Sequence, residues 1–156
     1  MSSLSLNIEV LSDDHLIDAL LLMQKVFFEE QQIPVDYLPV KIFPQISWGI
    51  FNGDSLIGLS IAWKEEDLWH WGRYAVHPQW RGKGLGRKLA QVCLSDLFQQ
   101  GAQEVHIDAR DVTLKLLLQF GAKVVGDTFD FYGPVTPMRL KAVDFFENMR
   151  LNKFRR

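Results

Sequence analysis

Val76-His77-Pro78-Gln79-Trp80-Arg81-Gly82-Lys83-Gly84-Leu85-Gly86-Arg87-Lys88-Leu89 is the stretch from which the rest of the chain can be read. It spells strand, turn, glycine loop and helix. Gly82, Gly84 and Gly86 remove Cβ atoms from one short loop, so a ligand can touch backbone, and φ values closed to other residues become accessible. Arg81, Lys83, Arg87 and Lys88 surround that loop with positive charge. From Leu85 onward apolar residues recur at helical spacing through Leu89, Val92, Cys93 and Leu97. The loop amides therefore fall at a helix N-terminus, where free N–H groups and the helix dipole attract phosphate. A Walker loop is excluded, because Lys83 is followed by Gly84 and no hydroxyl is available for magnesium. A dinucleotide turn is excluded as well, because the third glycine of G-x-G-x-x-G, counted from Gly82, falls on Arg87. What remains is Arg81-x-x-Gly84-x-Gly86 after a strand, with a plain basic turn before an ordinary helix as its alternative.

Outward from this stretch, Leu68 to Val76 reads as the strand that delivers the chain to the loop, preceded by a turn at Glu65-Glu66-Asp67. Two further strands, Ile46 to Phe51 and Leu56 to Trp63, are joined by Asn52-Gly53-Asp54, a strong hairpin signal. Upstream, Leu4 to Leu11 alternates with Leu6, Ile8 and Val10 on one face, and Ser12-Asp13-Asp14 offers caps for a helix. That helix places Leu16, Ala19, Leu20, Met23 and Phe27 toward the core and runs to about Glu30. From Gln31 to Gln45, Pro34, Pro39 and Pro44 oppose regular structure, while Ile33, Val35, Tyr37, Leu38 and Phe43 are too apolar for a solvated linker. A loop folded over a pocket satisfies both. Downstream, the helix from Gly84 stops near Gly101. Val105 to Ala109 reads as a strand, Asp111 as the cap of a short helix ending before Gly121, and Ala122 to Val125 and Pro137 to Leu140 as parts of two last strands. A terminal helix from Val143 to Arg156 turns Phe146 and Met149 inward. This order predicts one α/β domain over residues 1–156, with a mixed sheet covered on both faces.

Composition narrows the function. With 47% hydrophobic and 23% charged residues the chain has the makeup of a soluble globular protein, and its net charge of -2 argues against nucleic acid as a main ligand. Its one cysteine, Cys93, rules out an internal disulfide, and four scattered histidines make no metal site. Helical spacing makes Cys93 core packing. No apolar run approaches a membrane span and no leader is evident, so the expected compartment is the cytoplasm.

The order of elements together with Arg81-x-x-Gly84-x-Gly86 resembles the GNAT N-acetyltransferases. Within them the chain is most similar to the ElaA-type branch, through Val26-Phe27-Phe28-Glu29-Glu30-Gln31, Gly72-Arg73-Tyr74-Ala75-Val76, Phe129-Asp130 and Met138-Arg139-Leu140. The resemblance implies a GNAT fold: a mixed, mostly antiparallel sheet flanked by helices and splayed at an acetyl-CoA cleft between Leu68–Val76 and Val105–Ala109. It implies that Tyr74, Ala75 and Val76 pair by backbone with the pantetheine arm. Backbone amides of Arg81, Gly82, Lys83, Gly84, Leu85, Gly86 and Arg87 would hold the pyrophosphate. Acetyl-CoA is then the acyl donor and the amine of a small molecule or peptide the acceptor, with no metal, membrane or nucleic-acid partner and a homodimer as an open possibility.

Two departures from the family pattern stand out. The tyrosine that usually lies near the thioester sulfur falls on Leu117, which cannot donate a proton and which follows the core period of Leu114 and Leu118. Where ElaA-type chains usually show His-Ala-Gln, this one has Asp108-Ala109-Arg110, and the histidine expected before Met138-Arg139-Leu140 is replaced near Val135-Thr136-Pro137. For the base that takes the amine's proton, strand alternation puts His70 on the face of Tyr74, and His70 titrates in a suitable range. A structural histidine beside Trp69 and Trp71 is the alternative. Glu30 and Glu29, next to the proline-rich loop, are candidates for binding or deprotonating a cationic amine, or are solvated helix-end carboxylates. A catalytically weakened acyl-CoA-binding module and a basic-loop interaction protein without cofactor are the rival functions.

Overall fold

The computed structural model describes residues 6–34 and 45–154. The predicted start of the first strand at Leu4 and the loop residues Val35, Tyr37, Leu38, Pro39, Phe43 and Pro44 lie outside them. Strands β1 (Leu6–Val10), β2 (Gln45–Asn52), β3 (Ser55–Glu65) and β4 (Leu68–Val76) form an antiparallel meander. Both of its tight turns follow from local backbone chemistry. Gly53 takes φ +59 between the paired residues Asn52 and Ser55, and Glu66 and Asp67 take φ +52 and +64 between Glu65 and Leu68. Helix α2 (Leu85–Gln99) then leads to β5 (Glu104–Ala109), α3 (Asp111–Phe120), β6 (Lys123–Val124), β7 (Phe129–Asp130), β8 (Pro134–Lys141) and α4 (Ala142–Phe154). The sheet order is β1-β2-β3-β4-β5-β8-β6, with β7 also on β8, and every pairing is antiparallel except β4 with β5. The mixed, mostly antiparallel sheet expected from the sequence is present, and helices cover both faces.

One apolar cluster lies on each face. Trp48, Trp71, Leu89, Cys93, Phe120 and Phe145 belong to the larger, under α2, α3 and α4, while Leu22, Met23, Val26, Phe27, Leu59 and Ile61 form the smaller, under α1 (Leu16–Met23). Of the stripe predicted for the first helix, Met23 and Phe27 are buried and Ala19 packs against the smaller cluster, but Leu16 and Leu20 turn outward. Leu16 and Leu20 are 47% and 38% exposed, whereas Leu22, Met23, Val26 and Phe27 are buried. The inward stripe of Ala19, Leu22, Met23, Val26 and Phe27 keeps ordinary helical spacing, and it runs into a π-helical segment over Gln24–Glu30 closed by Gln31 N–H to the Val26 carbonyl at 3.1 Å. At the other end Met149 packs against the larger cluster as predicted, while Phe145 is buried where Phe146, 39% exposed, was expected. Leu118 is likewise exposed, Asp111 is the first residue of α3 rather than its cap, and β7 was not predicted.

Cys93 is fully buried and accepts a hydrogen bond from Ser60 Oγ at 3.0 Å, and burial pushes its thiol pKa up to about 12. It is packing, as its spacing predicts. Ser60 Oγ in turn accepts from Trp71 Nε1 at 3.1 Å, so one hydroxyl ties β3, β4 and α2 together inside the core. Ser60→Ala leaves the Trp71 N–H unsatisfied and should cost about 1–3 kcal/mol, read as a lowered denaturation midpoint with unchanged slope.

Candidate functional site

The site is made by two irregularities in β4. Leu59 pairs with Ala75 and Ile61 with Gly72, so Ser60 stands opposite two residues, Arg73 and Tyr74. This is a β-bulge, and Arg73 occupies the left-handed region at φ +50. The extra residue reverses the alternation along the strand. Trp71 and Tyr74 therefore turn to the α2 side together, with ring centroids 5.2 Å apart. His70 remains on the opposite face, stacked on Trp63 at 5.6 Å and tilted against His106 at 5.9 Å. The expectation that His70 shares a face with Tyr74 is thus corrected. Its pKa is lowered, first by burial, so the ring is neutral at pH 7, yet it lines neither chamber of the cleft described below.

The second irregularity is the junction with β5. A single pair, His70 with His106, joins the two strands, and beyond it they diverge. Among the described residues, the segment Trp71–Val76 then presents an edge without a strand partner on that side. The opening leads into two adjoining chambers that share Gln31, Tyr74, Arg110 and Thr113.

The first chamber, of about 420 Å³, lies over the glycine loop. Gly82 and Gly84 adopt φ +79 and +77, where a side chain is strained, and no atom of the described residues lies near the place of a Cβ at either position. Gly84 caps α2, no side chain among the described residues caps that end, and its carbonyl accepts the first intrahelical bond from Lys88 N–H at 3.2 Å. The preceding amides of Leu85, Gly86 and Arg87 consequently have no intrahelical acceptor. Gly86 serves differently, since a Cβ there would overlap the Tyr74 hydroxyl. Burial raises the Tyr74 phenol well above its usual range, so it stays a neutral hydroxyl against the helix start. Nine of the ten predicted cofactor residues line this chamber: Tyr74, Ala75, Val76, Arg81, Gly82, Gly84, Leu85, Gly86 and Arg87. Lys83 does not, and its side chain is exposed.

The side chains around the loop are engaged in ways the sequence does not announce. Arg81 donates to Glu30 through both terminal nitrogens, at 2.5 and 2.7 Å, and through Nε to the Val76 carbonyl at 2.9 Å. That fork pins the loop to the end of the π segment. It also holds the Glu30 carboxyl below its usual pKa, chiefly through the Arg81 hydrogen bonds, which weakens Glu30 as a base. Neither Glu30 nor Glu29 lines either chamber. Arg87 donates to Gln119 and lies 5.3 Å over the Phe120 ring. Leu117 is fully buried and also lines neither chamber, as packing requires.

The second chamber, of about 310 Å³, lies between the diverging strands. Its walls include Phe27, Ile33, Trp71, Phe129 and Val135, and its charged groups are Arg73, Asp108 and Arg110. Val105, Ile107 and Ala109 face the core, so alternation along β5 turns Asp108 away from it. Asp108 is the one acidic residue lining either chamber among the described residues, and sequence reasoning treated it only as a departure from a family pattern. The alternation of β5 was the signal that could have placed it. No group of metal-ligating side chains occurs among the described residues, and none of the described helices is long and apolar enough to cross a membrane.

A splayed mixed sheet with a bared helix N-terminus at its opening is the architecture of the GNAT acyltransferases. The chain belongs to the acetyltransferase (GNAT) family, whose model matches residues 16–121. Members of this family bind acetyl-CoA or CoA. Among solved structures it is similar to Escherichia coli ElaA, with a TM-score of 0.80 and 20% identity over 87% of this chain and 99% of that one. An acyl-CoA N-acyltransferase from Pseudomonas aeruginosa gives 0.75 and 19% over 88% and 99%. Spermidine N-acetyltransferase from Vibrio cholerae, solved with CoA and spermine, gives 0.68 and 17% over 90% and 98%. At such identities these likenesses concern the fold. No curated protein sequence gives a significant match.

Proposed function

We propose that the protein is an N-acetyltransferase that moves the acetyl group of acetyl-CoA to a primary amine of a small molecule or peptide. The observation that carries this is the continuity of the uncapped α2 N-terminus with the unpartnered β4 edge in one cleft. Amides at the loop supply fixed donors for a pyrophosphate, and the backbone of Tyr74–Val76 supplies a strand edge for the amide-bearing pantetheine arm. A backbone N–H near Val76 would polarise the thioester carbonyl as negative charge develops on its oxygen. The acceptor nitrogen enters from the second chamber. Its bond to the acetyl carbon forms, the carbon–sulfur bond breaks, the amine's proton passes to Asp108 directly or through water, and the sulfur leaves as thiolate. A thiolate whose thiol has a pKa near ~8.5 departs tolerably at neutral pH, so a leucine at position 117 does not prevent transfer. Acyl-CoA esters carry phosphates that do not cross a bilayer unaided, so the enzyme would work in the cytoplasm, where they are made.

The test is release of free thiol from acetyl-CoA against a panel of primary amines between pH 6 and 10. Saturable turnover should appear, rising about tenfold per pH unit while the amine is mostly protonated and levelling near its pKa. The buried Leu117 favours one rival, an acyl-CoA-binding module without turnover. Saturable binding with no thiol release from any amine would establish that rival.

A further inference from the structure

We infer that the second chamber takes a free α-amino acid with an apolar side chain, its ammonium on Asp108 and its carboxylate on Arg73. This rests on the acyl-transfer reading and names the acceptor class. Arg73 and Asp108 stand on the two diverging strands, and both line the chamber. They attract each other across the opening, yet they form no ion pair. Among the described residues the Arg73 guanidinium has no hydrogen-bond acceptor, its only close partner being the Trp63 ring, 5.5 Å below it. Asp108 likewise has no hydrogen-bond donor among the described residues. A guanidinium and a carboxylate held apart at one opening are complementary to a molecule that carries the opposite two charges on one carbon.

The remaining features restrict the class further. Arg110, fixed by NH1 to the Tyr132 and Gly133 carbonyls at 3.2 Å each, adds a second cation beside one carboxylate. That excess repels diamines and polyamines, and a peptide N-terminus would leave Arg73 without a carboxylate. Phe27, Ile33, Phe129, Phe131 and Val135 give the side chain an apolar wall. A volume of about 310 Å³ suits a small molecule. The bulge is what delivers Arg73, because φ +50 turns its side chain over Trp63 at the opening.

The experiment uses the full chain first saturated with coenzyme A, the thiol product, so that no turnover is needed. Failure to saturate would count against the acyl-transfer reading and is seen before any acceptor is added. Leucine, phenylalanine, leucinamide and 1,4-diaminobutane are then titrated in separately by calorimetry. Leucine and phenylalanine should bind at least tenfold more tightly than leucinamide, and diaminobutane should not saturate. Arg73→Gly, which the positive φ accommodates, should erase the difference between leucine and leucinamide, and Arg73→Lys should restore part of it. Equal binding of leucine and leucinamide, tighter binding of the diamine, absence of amino-acid binding, or an unchanged preference in Arg73→Gly would each overturn the assignment.

Discussion

Gly86→Val is expected to weaken coenzyme A binding by about a hundredfold, close to 2.7 kcal/mol, and to lower the melting temperature as well. The Cβ it introduces would overlap the Tyr74 hydroxyl, with Tyr74 Cζ at 3.2 Å and Val76 Cγ2 at 3.5 Å behind it. Tyr74 cannot yield freely, because its ring is packed on the buried Trp71. Overpacking of this kind typically costs about 1–3 kcal/mol, and here the displaced groups belong to the strand edge and helix start that hold the cofactor. A double-mutant cycle separates the local clash from general damage. Gly86→Ala alone should impair binding, and adding Tyr74→Phe, which removes the overlapped oxygen, should recover much of it. Calorimetric dissociation constants and melting temperatures for the four proteins decide the matter. A folded Gly86→Val protein with unaltered affinity would show that the helix start is not where the pyrophosphate sits.

Asp108→Asn should reduce turnover by a hundredfold or more, in the usual range for loss of a general base of about 10²–10⁴, while affinity for coenzyme A stays unchanged. The amide keeps the shape and loses the proton acceptor. His70→Ala is the matched control, since the imidazole is stacked on Trp63 and outside both chambers. It should stay within a few fold of the parent enzyme. Steady-state rates for both variants across the same pH series distinguish the two residues. An unimpaired Asp108→Asn enzyme beside a slow His70→Ala enzyme would return the proton to His70.

The correction of His70 shows what a sequence can and cannot disclose. Wherever one residue makes one step of a regular repeat, local chemistry was enough. Gly53 and the Glu66-Asp67 pair fixed the hairpins, and helix α2 with its glycine loop followed from Gly84 and the spacing of Leu85, Leu89, Cys93 and Leu97. The failure at His70 occurs where one residue was added to a repeat. The bulge opposite Ser60 moved Tyr74 to the other face from His70. Such insertions are stabilised by contacts distant in sequence, including Ser60 with Cys93, and leave no local signature. The Glu30–Arg81 fork spans 51 positions and was invisible for the same reason. Bulges gather at functional sites, and the one that defeated the periodic rule here is also the one that brings Arg73 and Tyr74 to the cleft.

The account rests on the glycine loop and the β4 edge forming a single coenzyme A site, and titration of coenzyme A into the unmodified protein tests that most directly. One saturable site per chain with a dissociation constant in the micromolar range, lost in Gly86→Val and little changed in Lys83→Ala, is the predicted result. No saturable binding at tens of micromolar, or binding that depends on Lys83 and ignores Gly86, would contradict it.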